Sequence, residues 1–132
     1  MALAKEDAVV WFRHYLDAFN GNDFDGFGAY YADDVEFCGQ AATLRGRTAV
    51  LDFYRDVKAR LDETIDLLAC ISDENMLAAE IRTTLVARED WPDFPTGPLL
   101  ANQRRQSINF AFYDIVDGKF TRIRSARFRR IE

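Results

Sequence analysis

With 132 residues, the chain has the length of one domain, and its 48% hydrophobic and 30% charged content excludes both a disordered polypeptide and a membrane-embedded one. The net charge of −5 is unevenly spread: residues 1–103 hold nine Lys/Arg against nineteen Asp/Glu, and residues 104–132 hold eight against three. The basic stretch spaces Arg122, Arg124 and Arg127 along an apparent strand and carries no nucleic-acid motif, so neither nucleic acid nor a membrane is expected as a partner. Lys5, Glu6, Asp7 and Arg13 interrupt the N-terminal apolar residues, which argues against a signal segment and for a cytoplasmic location. Cys38 and Cys70 stand without a CxxC or a histidine-rich partner segment, so no metal site, cofactor or disulfide framework is expected.

Ala8, Val9, Phe12, Tyr15, Leu16 and Phe19 recur at helical spacing and predict an amphipathic helix over residues 4–20. Asn20, Gly21 and Asn22 stop it, and Asp23 caps a second short helix reaching about residue 31. A short strand over 35–39 and a turn at Gly46 lead to a third helix over 48–61, with Thr48 as its cap. From residue 63 the period changes to two. Ile65, Leu67, Ala69 and Ile71 line one face of a strand, and Leu77, Ala79, Ile81, Thr83 and Leu85 line one face of the next. Residues 89–102 contain all three prolines and read as an ordered loop. Strands over about 104–114 and 119–130 follow, joined at Asp117-Gly118, with Ile108, Phe110 and Phe112 assigned to the apolar face. The expected architecture is a single α+β domain over residues 1–132, with three N-terminal helices covering one face of a largely antiparallel sheet.

These elements, in this order, resemble the nuclear transport factor 2-like superfamily. The resemblance rests on the run His14-Tyr15-Leu16-Asp17-Ala18-Phe19-Asn20-Gly21-Asn22-Asp23-Phe24-Asp25-Gly26, on Tyr31-Ala32-Asp33-Asp34, on Gly46 before Phe53-Tyr54, and on Asp117-Gly118-Lys119. It implies a cone-shaped curved mixed sheet wrapped on three helices around an apolar pocket, and it places the chain near the SnoaL-like polyketide cyclases and ketosteroid isomerases. Such a fold hosts several chemistries and does not choose among them. Carried over from the isomerases, the oxyanion tyrosine falls on Tyr15 and its supporting tyrosine on Tyr54. The base position falls on Gly39, and the second acid falls on Ile108 or Asn109, none of which can move a proton. The strand aspartate of the cyclases lands on Ala111 or Phe110, and the last-strand carboxylate of limonene epoxide hydrolases on Ser125. Scytalone dehydratase requires histidines, and His14 is the only one present.

The expected function is binding of an apolar small molecule, with isomerase- or cyclase-type chemistry on a carbonyl compound to which Tyr15 donates a hydrogen bond and Tyr54 lends support. The alternative is a non-catalytic dimeric binding or structural domain with a degenerate site. Phe12 and Phe19 from the first helix, Phe37 and Cys38 from the first strand, and Ile81 and Leu85 from the sheet are the expected ligand contacts. Ile108, Phe110 and Phe112 are added from the penultimate strand, and Arg127 from the last. Trp91 and Phe94 read equally as a lid on the pocket or as a plug closing the cone. The opposite sheet face, with Glu80, Arg82 and Arg124, is assigned to a homodimer interface with crossed ion pairs.

Overall fold

The computed structural model describes residues 5–131. Among the described residues the chain forms helices α1 (Lys5–Asn20), α2 (Phe24–Gly28) and α3 (Arg47–Arg60). Strands β1 (Tyr31–Cys38) and β2 (Thr43–Arg45) precede α3, and β3 (Leu61–Ser72), β4 (Met76–Ala87), β5 (Arg104–Val116) and β6 (Lys119–Ile131) follow it. The six strands form one mixed, open sheet in the order β2-β1-β6-β5-β4-β3. All neighbours run antiparallel except β1 and β6. The expected start of α1 at Ala4 lies outside the described residues.

Local chemistry accounts for most of these boundaries. The Asp23 carboxylate accepts a hydrogen bond from the Gly26 amide at 2.9 Å and caps α2. That helix ends at Gly28 rather than near residue 31, because Tyr31 is already paired with Phe120 of β6 and the Phe120 amide donates to the Tyr30 carbonyl. The same pairing starts β1 four residues before the expected strand. The three-residue β2, which has no periodicity of its own to read, completes the sheet edge on β1. Helix α3 begins on Gly46, with no side-chain cap, rather than on Thr48. At the β5–β6 hairpin, Asp117 and Gly118 both hold positive φ, 53° and 72°, as a two-residue turn matched to strand twist requires.

One bulge and one strand apolar on both faces overturn strand-face assignments made from hydrophobicity. In β3, Leu67 pairs with Ile81 and Ala69 with Glu80, so Leu68 is an extra residue that reverses the alternation. Beyond it Cys70 packs on the core and Ile71 is 76% exposed, not Ala69 and Ile71 inward as expected. In β5 the inward set is Asn109, Ala111 and Tyr113, while Phe110 and Phe112 lie outside, 44% and 45% exposed. Both faces of this strand carry apolar residues, and a shift of one residue exchanges them entirely. Phe110 instead meets Phe128 across the outer face, and the Arg124 guanidinium lies over Phe112.

The main core lies between the helices and the concave face of the sheet. Phe12, Tyr15, Leu16 and Phe19 of α1 pack there with Phe27, Val50 and Tyr54, against Ile65, Leu77, Ile81, Tyr113, Phe120 and Ile123. A second cluster closes the far end, where Trp91, Phe94 and Leu99 cover Val57, Leu61 and Leu85. Its loop is pinned by paired hydrogen bonds between the backbones of Trp91 and Leu99. The Arg105 guanidinium also holds it, donating to the Pro98 carbonyl at 2.7 Å and the Gly97 carbonyl at 3.2 Å. No helix among the described residues is long and apolar enough to cross a membrane.

Candidate functional site

Inside the cone the sheet leaves a cavity of about 130 Å³ between the two clusters. That is close to the roughly 150 Å³ in which an apolar cavity holds benzene. Buried Tyr15, Tyr54 and Tyr113 line its inner part with Phe37, Ile65, Ile81 and Leu85, Glu63 stands in one cross-strand row with Leu85 and Arg105, and Gln40, Thr96, Arg105, Ser107, Ser125 and Arg127 form its polar rim.

The phenols differ in their partners. Tyr15 and Tyr31 share a buried 2.7 Å hydrogen bond between their hydroxyls. When Tyr31 is the donor, the Tyr15 proton is left free for another acceptor. Tyr54 forms no hydrogen bond among the described residues, and its hydroxyl is not sealed from the cavity. Burial pushes both Tyr15 and Tyr54 well above the ordinary phenol range, with Tyr31 adding to the effect on Tyr15 and Glu63 adding to that on Tyr54. Both therefore stay protonated as donors. The hydroxyl beside that of Tyr15 is thus that of Tyr31 on β1, not that of Tyr54, its expected supporting tyrosine.

Residue 39 carries no carboxyl; the cavity's carboxyl comes from Glu63 on β3. A Cβ at Gly39 would lie 2.9 Å from the ring of Phe37, so no longer side chain fits there while Phe37 fills that corner. Glu63, opposite Leu85 at the start of β3, supplies a carboxyl to the cavity. Among the described residues this carboxyl makes neither a hydrogen bond nor an ion pair, and burial pushes its pKa up to about 7 while the charge of Lys58 pulls it down. Lys58 is itself buried, and its Nζ donates to the Phe19 carbonyl, to Asn22 Oδ1 and to the Glu63 carbonyl at 2.8, 2.7 and 3.0 Å. Desolvation lowers its pKa to about 8, with the Glu63 and Asp62 charges opposing. A sequence signal for Glu63 existed: with Ile65 and Leu67 directed inward, parity places residue 63 inward too.

The other expected contacts divide. Phe37, Ile81, Leu85 and Arg127 line the cavity together with Tyr15 and Tyr54. Phe12 and Phe19 are wholly buried behind the walls, because α1 turns those positions toward the aromatic core rather than the opening. Cys38 points to the other face of β1, into a separate groove with Arg45 and Arg124. Ile108 is buried away from the cavity, and Phe110 and Phe112 are outside because of the strand parity described above. Trp91 is a buried plug with the Arg60 guanidinium 3.7 Å over its ring, whereas its neighbour Phe94 reaches the cavity wall. Asn109 lines the cavity and is 7% exposed; its amide donates to Thr83 and Ser107, and its Oδ1 has no partner among the described residues.

An open six-stranded sheet curved over three helices, with a phenol-bearing cavity in its concave side, defines a nuclear transport factor 2-like α+β cone. Within that class the chain belongs to the SnoaL-like domain family, whose model matches residues 12–123. Among solved structures it is similar to one from Xanthomonas campestris pv. campestris described as a "putative polyketide cyclase", at 26% identity and TM-score 0.77, covering 92% of this chain and 90% of that one. A SnoaL-like polyketide cyclase from Agrobacterium tumefaciens shares 24% identity at TM-score 0.71, with 90% and 89% covered. An LEH-like epoxide hydrolase from Mycobacterium tuberculosis shares 18% identity at TM-score 0.74, with 93% and 84% covered. No curated protein matches the chain.

Proposed function

We propose that the chain is a small-molecule enzyme of isomerase or cyclase type that moves a proton next to a carbonyl group, with Glu63 as the base. The observation that carries this reading is the unpaired Glu63 carboxyl in an apolar cavity that it shares with phenol donors. A carboxylate freed from water takes a proton from the carbon beside the carbonyl, the electron pair of that C–H bond moves onto the carbonyl oxygen, and the phenol protons of Tyr54 and Tyr15 stabilise the resulting enolate. Return of the proton to another carbon completes an isomerisation, and attack of the enolate carbon on a second carbonyl completes a ring closure. With its pKa near 7, Glu63 is matched to proton transfer close to neutral pH.

The test is exchange. Wild-type protein in D2O should introduce deuterium beside the carbonyl of phenylacetone, followed by NMR, and Glu63→Gln should abolish it. Exchange that persists undiminished in Glu63→Gln, or that is absent from the wild type across a panel of small enolisable ketones, sinks the reading. The working unit proposed is a homodimer joined through the outer sheet face. Arg82 and Arg124, expected to cross to a partner, are paired within the chain to Asp66 and Asp114, so the support for this interface is the exposed set Phe110, Phe112 and Phe128.

A further inference from the structure

The rim of the cavity holds a concentration of positive charge that the proposed proton transfer does not use. Near its end β6 carries one extra residue: Asn109 pairs with Arg127 while Ile108 pairs with Arg129, leaving Phe128 bulged. Ser125 and Arg127 face the cavity before the bulge. After it the alternation is reversed, and Arg130 stands opposite the cavity residue Ser107. Arg105, two positions before Ser107 on the same face of β5, lies beside them: burial, then Arg130 and Arg127, lower its pKa.

Among the described residues these guanidiniums have no carboxylate partner. Eight other arginines of the chain are paired with one; Arg13, Arg104 and Arg129 are not, but only Arg105, Arg127 and Arg130 converge on the cavity. In a chain of net charge −5, acids were available to neutralise them. Arg105 is moreover held in place, its Nη atoms donating to Thr96, Gly97 and Pro98, so the charge is fixed before any ligand arrives. Like charges gathered at the opening, one of them held in place, raise the free energy of the empty site and lower that of an anion bound there.

We infer that the arginine rim takes the carboxylate of a small acid whose single ring fills the cavity below it. This rests on the cavity being the ligand site of the proposed enzyme, and it names the substrate class: a ring-bearing oxo acid, oriented with its carboxylate on Arg127 and Arg105 and its reacting carbon toward Glu63 and the phenols. A planar two-oxygen anion matches the guanidinium fork, and the volume of about 130 Å³ accepts one ring and not a fused system.

The experiment compares phenylacetate, its neutral analogue phenylacetamide, and inorganic phosphate by calorimetric titration against the wild type, Arg127→Gln and Glu63→Gln. Arg127 is exposed and makes no hydrogen bond or ion pair among the described residues, so its replacement leaves the fold intact. Phenylacetate should bind about tenfold or more tighter than the amide, the span of one charge-assisted contact. The preference should shrink at about 0.5 M salt and collapse in Arg127→Gln, while amide affinity stays unchanged. Glu63→Gln should retain the preference although it loses exchange, which separates failure of the base from failure of the rim. Equal affinity for acid and amide, an undiminished preference in Arg127→Gln, no binding of phenylacetate, or phosphate binding as tightly as the acid would each overturn the inference.

Discussion

Lys58 Nζ lies 3.0 Å from the main-chain oxygen of Glu63, not from its carboxylate. The lysine is thus spent on positioning the start of β3, with its other two protons on Phe19 and Asn22, and the glutamate side chain is left free to face the cavity.

Stability should report this arrangement directly. The pKa of Glu63 is raised from the model-compound value of 4.5 to about 7 in the folded chain, so the folded state holds the proton more tightly. Its contribution is present in full below pH 4.5 and is lost as pH rises through 7, a change on the order of 3 kcal/mol. Urea denaturation across that window should show the wild type losing stability and Glu63→Gln following a flatter course. A wild-type profile that rises through the window contradicts the assignment.

Lys58→Met removes the one positive charge that draws the Glu63 pKa down. The base should then ionise at higher pH, and the acidic limb of the exchange-rate profile should move in the alkaline direction. Loss of three hydrogen bonds, one buried and two part-buried, should also cost several kcal/mol, on the order of 1–3 kcal/mol for each buried acceptor left unpaired.

Tyr15→Phe and Tyr54→Phe should separate packing from chemistry. The first strands the buried Tyr31 hydroxyl and should cost about 1–2 kcal/mol in chemical denaturation. The second removes a hydroxyl with no protein partner and should cost less than about 0.5 kcal/mol, yet slow deuterium exchange by about tenfold or more.

Gly39→Ala sets a methyl group against the Phe37 ring at 2.9 Å and should destabilise by about 1–3 kcal/mol through overpacking. Phe37→Leu in the same chain should return part of that loss, a coupling measurable as a double-mutant cycle. Additive effects would show that the ring is not the obstacle.

The homodimer predicts sedimentation of the wild type at twice the chain mass at micromolar concentration, and of Phe110→Asp as a monomer. Arg82→Glu should have the smaller effect, since its carboxylate partner is Asp66 of the same chain. A monomeric wild type would remove the interface.

The helices and the order of the strands were legible in the sequence because α1 and α3 have one apolar stripe each and Asp117-Gly118 marks its turn without ambiguity. What could not be read was strand parity. Leu68 and Phe128 are bulges that no local pattern announces, and β5 carries Phe110 and Phe112 on one face against Ala111 and Tyr113 on the other, so hydrophobicity favoured the wrong side. The site suffered for the same reason. The resemblance points for a carboxyl to residue 39, a glycine, and says nothing of β3, where Glu63 reaches the cavity. Tyr15, Tyr54 and Arg127 were found because helical spacing and an unbroken alternation from Ile123 fix their direction.

The parallel pairing of β1 with β6 joins parts of the chain that are far apart, as the Lys119 ammonium on the Ala29 carbonyl illustrates at a separation of 90 positions. Until β6 is in place, β1 and β2 have no strand to join on that side, whereas β3 to β6 can zip together as successive antiparallel neighbours. Closing so long a loop costs entropy before its contacts repay it. The Tyr15–Tyr31 pair, only 16 positions apart, belongs to the N-terminal side of the β1–β6 seam. The cavity does not: it takes walls from both sides, and it exists only where the two parts of the chain have met.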